Sequence, residues 1–571
     1  MDKEKDLSVQ HERIRELIES TDSIDGIYNL FKKLGYENTE KVKVFDKSYR
    51  QSIDLPKEEL AKIEFASLIF SFGKKNGTFK SEISVFIIKV TAISNHLLRA
   101  LTKYFSEQPH KFMLIVTKDF NEFTFVLPEL TINEEGKSKP KLTKLTVNRK
   151  DIYRTDTEVL SGLVYRNQES ARELWRDWRE SFKLERVTES FFEAYKQIFL
   201  DLRKKIVAQR IGHKEAHEFS LQFMNRIMFI YFISKKGWLG GKTKFVKWLW
   251  EEKYKRMRSL DESIKDSFYE NWLKTIFFEA FNNQFKTNKK LPEDLCEILE
   301  HSPYLNGGLF KKNDLDALPI KISDAIFNNV FQFYESYNFT IREDLPLEVE
   351  VAVDPQMIGY VYESLANVAE EIYDANDLGI FYTPKVEVEF MCRRSIVEYF
   401  AKNLPETPKE HFYHLLFDDD REVIAKTFTK LGLWRKIEEK LDSIAIVDPA
   451  CGSGAFLVGM LNVLAELYKL TYKNLNRELS DFIVKRRIIS KSLYGVDVMP
   501  WAIGAAELRL WLQLIVETQF SEEELRKEPL LPNLDMNLRI GDSLVQEIGG
   551  ISFNVRANNL KSFLLLIFQV F

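Results

Sequence analysis

Cysteine is scarce: Cys296, Cys392 and Cys451 are the only three in 571 residues, far apart and without metal-site spacing. That excludes a disulfide-stapled scaffold and points to a reducing compartment. Positive charge is not in excess either. With 82 Lys+Arg against 86 Asp+Glu the formal net charge is -4. This excludes a uniformly basic nucleic-acid-binding protein yet leaves room for positive charge gathered in one cleft. The first residues, Met1-Asp2-Lys3-Glu4-Lys5-Asp6, are charged and lead into no apolar core, so no secretory signal is read and a cytoplasmic location is expected. The apolar end from Ser562 to Phe571 falls well short of the roughly 20 residues a bilayer span needs, and no membrane partner is expected. None of the 16 prolines has another proline beside it. Internal repeats and low-complexity tracts are absent as well.

What is present suits a large globular enzyme. Hydrophobic residues make up 45% and charged residues 29%, material for several cores and three or four domains at this length. Residues 84–90 and 111–117 read as buried strands joined by a helix around Leu97 to Phe105, and residues 123–127 as a third strand. From about residue 151 to 375 the pattern is mainly helical. Its aromatic residues Phe191, Phe192, Tyr195, Phe199, Trp248 and Trp250 recur at helical spacing and read as core rather than as stacking platforms for bases. Breaks at Pro292 and Pro346 mark boundaries, and Glu348 to Ala366 reads as a helical lead-in to the last domain. There, Lys485-Arg486-Arg487 with Lys491 is the densest basic run and reads as a solvated helix face.

The most informative segment is Val447-Asp448-Pro449-Ala450-Cys451-Gly452-Ser453-Gly454. An apolar run at 444–447 reads as a buried strand, and residues 456–461 read as the first turns of a helix. Strand, tight glycine turn and helix N-terminus make a nucleotide-type pocket, because glycine lets backbone amides reach a ligand with no Cβ in the way. The pattern is neither the dinucleotide G-x-G-x-x-G nor a phosphate loop ending in Lys-Ser/Thr. Two further short strands end in carboxylates. Asp497 closes the run Leu493-Tyr494-Gly495-Val496 and precedes Val498 and an apolar helix; a carboxylate there can accept both ribose hydroxyls of a nucleoside. Asp542, in Leu538-Arg539-Ile540-Gly541-Asp542-Ser543-Leu544, can accept a hydrogen bond from an adenine amine. Upstream, Phe381-Tyr382-Thr383-Pro384 predicts a helix start with Thr383 as N-cap and Pro384 in the first turn.

In this order, Phe-Tyr-Thr-Pro, Asp-Pro-Ala-Cys-Gly-Ser-Gly, Gly-Val-Asp and Gly-Asp-Ser resemble the gamma-group adenine-specific DNA methyltransferases. More closely, the chain is similar to the large type IIG enzymes that fuse restriction and modification in one polypeptide. The segments 223–239 and 304–310 resemble further shared elements, and the resemblance extends over roughly residues 190 to 550. It implies S-adenosylmethionine as cofactor, held by Phe381, Tyr382, Thr383, Pro384, Asp448, Ala450, Cys451, Gly452, Ser453, Gly454, Asp497, Val498, Asp542, Ser543 and Leu544. Phe381 to Pro384 would touch its methionine end, and Cys451 is read as a small packing residue, not a nucleophile. The implied reaction is methyl transfer to the exocyclic amine of adenine in double-stranded DNA.

One part of that family pattern has no counterpart. The Asn/Asp-Pro-Pro-aromatic motif grips the target amine and stacks on the flipped-out base. Asp354-Pro355-Gln356 and Asp448-Pro449-Ala450 lack both the second proline and the aromatic residue, so no catalytic residue is assigned. The family places the motif downstream of Asp542. A truncated or split reading frame is therefore expected, with a downstream polypeptide carrying the rest of the methyltransferase and the recognition domain. The N-terminal strand-helix-strand order resembles metal-dependent nucleases, in which a divalent ion sits between an upstream Asp and a Glu-x-Lys. Here Ile87-Ile88-Lys89 has no Glu two positions before Lys89, and Glu82, Asp46 and Asp54 depart from the spacing. Mg²⁺ is expected only if that domain is an active nuclease.

The expected architecture is α/β. Residues 1–150 form an N-terminal α/β domain, nuclease-like but degenerate. A helical connector follows at 151–375, then an incomplete Rossmann-like S-adenosylmethionine-dependent methyltransferase domain at 376–550 and an apolar end at 551–571. Two functions stay open: an adenine-specific DNA methyltransferase of a restriction–modification system, and a non-catalytic DNA-defence component that keeps the cofactor fold. A different small-molecule or protein acceptor is a third.

Overall fold

The computed structural model describes residues 2–36, 39–45, 57–72, 82–106, 111–132, 138–168, 170–286, 290–305, 308–339, 348–353, 357, 359, 361, 365, 383–418, 421–517, 531–544, 547–548 and 551–552. They fall into two compact units, one of Met1–Ser302 with Asn313–Val361 and one of Pro303–Lys312 with Tyr362–Phe571.

Alternating and continuous apolar runs in the first unit give seven strands in sequential order: β1 (Thr39–Phe45), β2 (Ile63–Phe72), β3 (Ile83–Val90), β4 (Lys111–Thr117), β5 (Glu122–Ile132), β6 (Ser138–Asn148) and β7 (Glu348–Glu350). Neighbours run antiparallel except β3–β4 and β6–β7. A parallel pair needs a crossover, and the helix Asn95–Ser106 supplies it between β3 and β4. Leu97, Leu98, Leu101 and Phe105 of that helix pack on Phe86, Ile88, Leu114 and Val116 of the two strands. Each such side chain, fully buried, contributes about 1.5–3 kcal/mol. The strands and helix expected around residues 84–117 are therefore present.

The lead-in expected as helix from Glu348 is corrected at its start. Glu348–Glu350 is β7, paired parallel with Leu142–Lys144 of β6. Val351 donates its amide to the Lys144 carbonyl at 2.9 Å, and Val351 to Val353 are buried. Alternating Glu and β-branched Val fits a strand better than a helix face. Helix appears only farther on, at Met357, Gly359, Val361 and Leu365.

Helices dominate the rest of this unit. His213–Lys235 is buried along most of its length, and Phe191, Tyr195, Phe199 and Trp250 lie in the core, as their spacing suggests. Arg226 of that helix makes two hydrogen bonds to Asp316, of 2.6 and 2.9 Å. Its guanidinium also lies over Phe277 and Phe278.

The second unit is built on a three-stranded parallel sheet in the order β10–β9–β8, with β8 (Ile446–Asp448), β9 (Leu493–Asp497) and β10 (Leu538–Ile540). The helices Ala455–Asn474 and Asp481–Lys491 connect β8 to β9, and Pro500–Glu517 follows β9. Lys385–Asn403 packs against Ala455–Asn474. The segment Pro303–Lys312 also belongs here: Leu305 and Phe310 are buried, and Lys311 pairs with Asp535 at 3.6 Å. Among the described residues no helix is long and apolar enough to cross a membrane.

Candidate cofactor site

Three parallel strands deliver three carboxylates to one end of the sheet. Asp448 closes β8, Asp497 closes β9, and Asp542 stands two residues past β10. The crevice outside the carboxyl ends of parallel strands is where α/β sheets bind ligands.

The glycine turn fixes how the chain leaves β8. Gly454 takes a left-handed conformation (φ 82°) and caps the helix Ala455–Asn474. A Cβ there would stand 2.9 Å from that of Ala506, so both the φ and the close approach require glycine. Gly452 is also left-handed (φ 51°), but a Cβ there would meet nothing within 4 Å. The loop thus packs on the protein at Gly454 and faces open space at Gly452.

Backbone and side-chain hydrogen bonds tie the three strand ends together. Asp497 accepts from the Gly452 amide (2.9 Å) with one carboxylate oxygen and from the Met499 amide (2.9 Å) with the other. The Cys451 amide donates to the Val496 carbonyl at 3.0 Å, and the Gly541 amide donates to the Asp497 carbonyl at 2.9 Å. The Ser543 hydroxyl donates to the Pro449 carbonyl at 2.7 Å, joining the β10 loop to the β8 loop. Asp542 accepts from the Leu544 amide at 2.8 Å and is exposed. Val498 and Leu544 are exposed as well.

Asp448 differs from its two partners. One of its oxygens accepts from the Ala450 amide at 3.2 Å, while the other is buried with no hydrogen-bond partner. Burial raises its pKa above the usual carboxylate value, the Ala450 amide opposes that, and the charge of Asp497 adds to it. A buried acceptor with no donor calls for a ligand that supplies one. Cys451 is buried, and burial first, then Asp448 and Asp497, push its thiol up. It packs rather than attacks.

Thr383 and Pro384 precede the helix Lys385–Asn403, but the cap is Pro384, one residue later than the N-cap expected at Thr383. A proline with extended ψ can cap because its carbonyl opens the first turn, accepting from the Val388 amide at 3.1 Å. Phe381 and Tyr382 lie outside the described residues.

Sequence reading missed Arg509. It is buried on Pro500–Glu517 and donates to the Ser453 carbonyl at 3.1 Å, pinning the turn from behind. Its signal was there: Glu507 and Arg509 are the only charged residues in the stretch from Trp501 to Val516, and buried charges need partners. The basic run is not wholly solvated, since Lys485 is buried and donates to Gln513 at 3.2 Å.

Among the described residues the N-terminal sheet assembles no comparable centre. Among the described residues no three His, Cys, Asp or Glu side chains are grouped to hold a metal ion. Glu82 precedes β3 and Lys89 lies near its end, about 23 Å apart along an extended strand. Lys89 instead pairs with Glu64 of β2 at 2.9 Å. Asp46 and Asp54 lie outside the described residues.

Residues 424–547 match the family described as MmeI, DNA-methyltransferase domain, a class of enzyme that draws its methyl group from S-adenosylmethionine. A protein of Methanocaldococcus jannaschii named as a type II restriction enzyme and methyltransferase is 34% identical over 337 residues, 57% of this chain and 27% of its own length. An Escherichia coli type II restriction enzyme and methyltransferase is 26% identical over 42% of this chain and 22% of its own length. The structure of the type IIL restriction-modification enzyme MmeI in complex with DNA aligns at 18% identity with a TM-score of 0.37, covering 56% of this chain and 36% of that one. The matched part thus spans about a quarter of the length of these curated relatives. Over residues 424–547 the chain matches the MmeI-type DNA-methyltransferase domain, and it is similar to proteins named as type II restriction enzymes and methyltransferases where these relatives cover it.

Proposed function

We propose that the chain binds S-adenosylmethionine at the carboxyl ends of β8, β9 and β10 and forms the cofactor half of an adenine-specific DNA methyltransferase in a restriction–modification system. The observation that carries this is the buried, unpartnered oxygen of Asp448 in the same turn as Gly452, where a Cβ would meet open space. Bound, the cofactor supplies an activated methyl on a sulfonium, leaving the protein to position and to tune charge. Asp448 would sit near that charge, and a neighbouring cation favours the ionised carboxylate that burial disfavours. Asp497 retains lone pairs for ribose hydroxyls after its two backbone bonds. Asp542, exposed at the rim, has an oxygen free of the Leu544 amide to take an adenine amine.

No residue of this sequence is assigned to the acceptor base. The chain has no Pro-Pro dipeptide and hence no Asn/Asp-Pro-Pro-aromatic grip. Among the described residues β8 is an edge strand, and Val447 in it is 49% exposed. A partner polypeptide carrying the target-base motif and a DNA-recognition domain fits that edge. Calorimetric titration of the purified chain with S-adenosylmethionine is expected to give one site, with no methyl transfer to DNA until that partner is co-expressed. Absence of binding overturns the cofactor assignment; turnover by the chain alone overturns the division of the site. The missing motif also favours a second reading, a non-catalytic component of a DNA-defence system, which predicts binding but no transfer even with the partner.

A further inference from the structure

A cavity of about 510 Å³ in the first unit is lined by Lys111, Ser170, Arg172, Glu173, Trp175, Arg176 and Arg179. Four of those side chains are cations and one is a carboxylate. Arg172, Arg176 and Arg179 stand at i, i+4 and i+7 of the helix Ala171–Ser181, so they share one face. Like charges at i, i+4 weaken a helix, and a cation in the first turn opposes the helix dipole. Both placements disfavour the helix alone, and an anion in the cavity reverses the sign of each. Lys111 opens β4 and its ammonium lies 5.9 Å from the centroid of the mostly buried Trp175 ring. Burial and then the charges of Arg172 and Arg179 lower its pKa, while Glu82 raises it. The cations are therefore close enough to act on one another, and Asp177, 3.7 Å from Arg176, offsets only part of that charge. Paired Ile83 and Lys111 begin the parallel strands, whereas Lys89 pairs with Thr117 at the far end. Six residues of strand, about 20 Å, separate this cavity from the Glu64–Lys89 pair.

We propose that this cavity binds the phosphate backbone of duplex DNA through Lys111, Arg172, Arg176 and Arg179. The inference rests on the DNA reading above and adds a contact surface to it. Phosphate contacts carry no sequence information but set affinity and register. Each one releases counterions, steepening the salt dependence by about 0.9 in log–log slope.

The test is duplex DNA binding by the full chain across a salt series, comparing wild type with Lys111→Gln/Arg172→Gln/Arg176→Gln. The variant is expected to bind at least tenfold more weakly at low salt, with a slope shallower by about two to three. Removing three charges elsewhere, in Lys402→Gln/Lys426→Gln/Lys430→Gln, is expected to change the slope far less. An equal loss in that control, or an unchanged slope in the first variant, overturns the proposal. So does an outcome in which inorganic pyrophosphate stabilises wild type but not the variant while DNA binding stays the same, since the cavity then takes a small phosphate. Titration of the same variant with S-adenosylmethionine should match wild type. Loss of the cofactor site and loss of the DNA surface therefore register separately.

Discussion

An ionised carboxylate can accept about four hydrogen bonds, and Asp497 already uses two of them on the amides of Gly452 and Met499. The residue therefore does two things, shaping the loop from inside and keeping acceptors for a nucleoside. Asp497→Asn separates those roles badly, because its NH₂ would face one of the two amides. The expected result is at least tenfold weaker binding of S-adenosylmethionine by calorimetry, together with a lower melting temperature. Unchanged affinity would show that Asp497 serves the loop alone. At this scale the sequence was most readable where chemistry and backbone coincide: an acidic residue closing a short apolar run predicted Asp448 and Asp497 at strand ends, where they stand. Arg509 was harder to read. It donates to the carbonyl and, at 3.4 Å, to the hydroxyl of Ser453, 56 positions away, and no local pattern marks so distant a pairing.

The element that holds the site is the turn from β8 into the helix Ala455–Asn474, and its two glycines answer different needs. Gly454 combines a positive φ with Ala506 at contact distance, whereas Gly452 combines a positive φ with open space. A left-handed non-glycine residue costs about 1–2 kcal/mol. Gly454→Ala should add the steric conflict with Ala506 and melt the unit at a distinctly lower temperature. Gly452→Ala should cost no more than the backbone term yet weaken cofactor binding by a larger factor, since its methyl group enters the open side. Melting curves and titrations on the two variants give a crossed pattern if this is right, and parallel losses if the turn is only a connector. Elements were legible where one periodicity ran long enough, as in the crossover from β3 to β4. At Glu348 it did not: six alternating residues lead into a helix, and the pairing that decides between strand and helix comes from β6, some 200 positions earlier. Local pattern cannot contain that information.

Across the whole molecule, each compact unit buries a carboxylate that burial keeps protonated at neutral pH. Asp156, in the unit of the seven-stranded sheet, is pushed up to about 8 by burial, against the Tyr153 amide that it accepts from. Glu507, on the helix behind the cofactor turn, is pushed up to about 8 by burial and then by Asp535. In both, the folded pKa lies above the ordinary values of 3.8 and 4.5. The folded state therefore holds the proton more tightly than the unfolded chain. The associated stability is complete below those ordinary values and is lost as pH rises through about 8. His217 has the opposite sign, its pKa lowered to about 4 by burial and then by Arg203, so its effect lies on the acid side, between that value and 6.5. Scanning calorimetry between pH 6.5 and 9 is thus expected to show melting temperatures falling by more than about 5 °C. Asp156→Asn keeps the acceptor for Tyr153 and should flatten the fall in the unit that contains it. Glu507→Gln should flatten the other. If the two units melt separately, each substitution moves one transition only; if they melt together, each removes part of a single slope. A melting temperature indifferent to pH over this range in wild type would mean that neither carboxylate holds its proton in the folded protein.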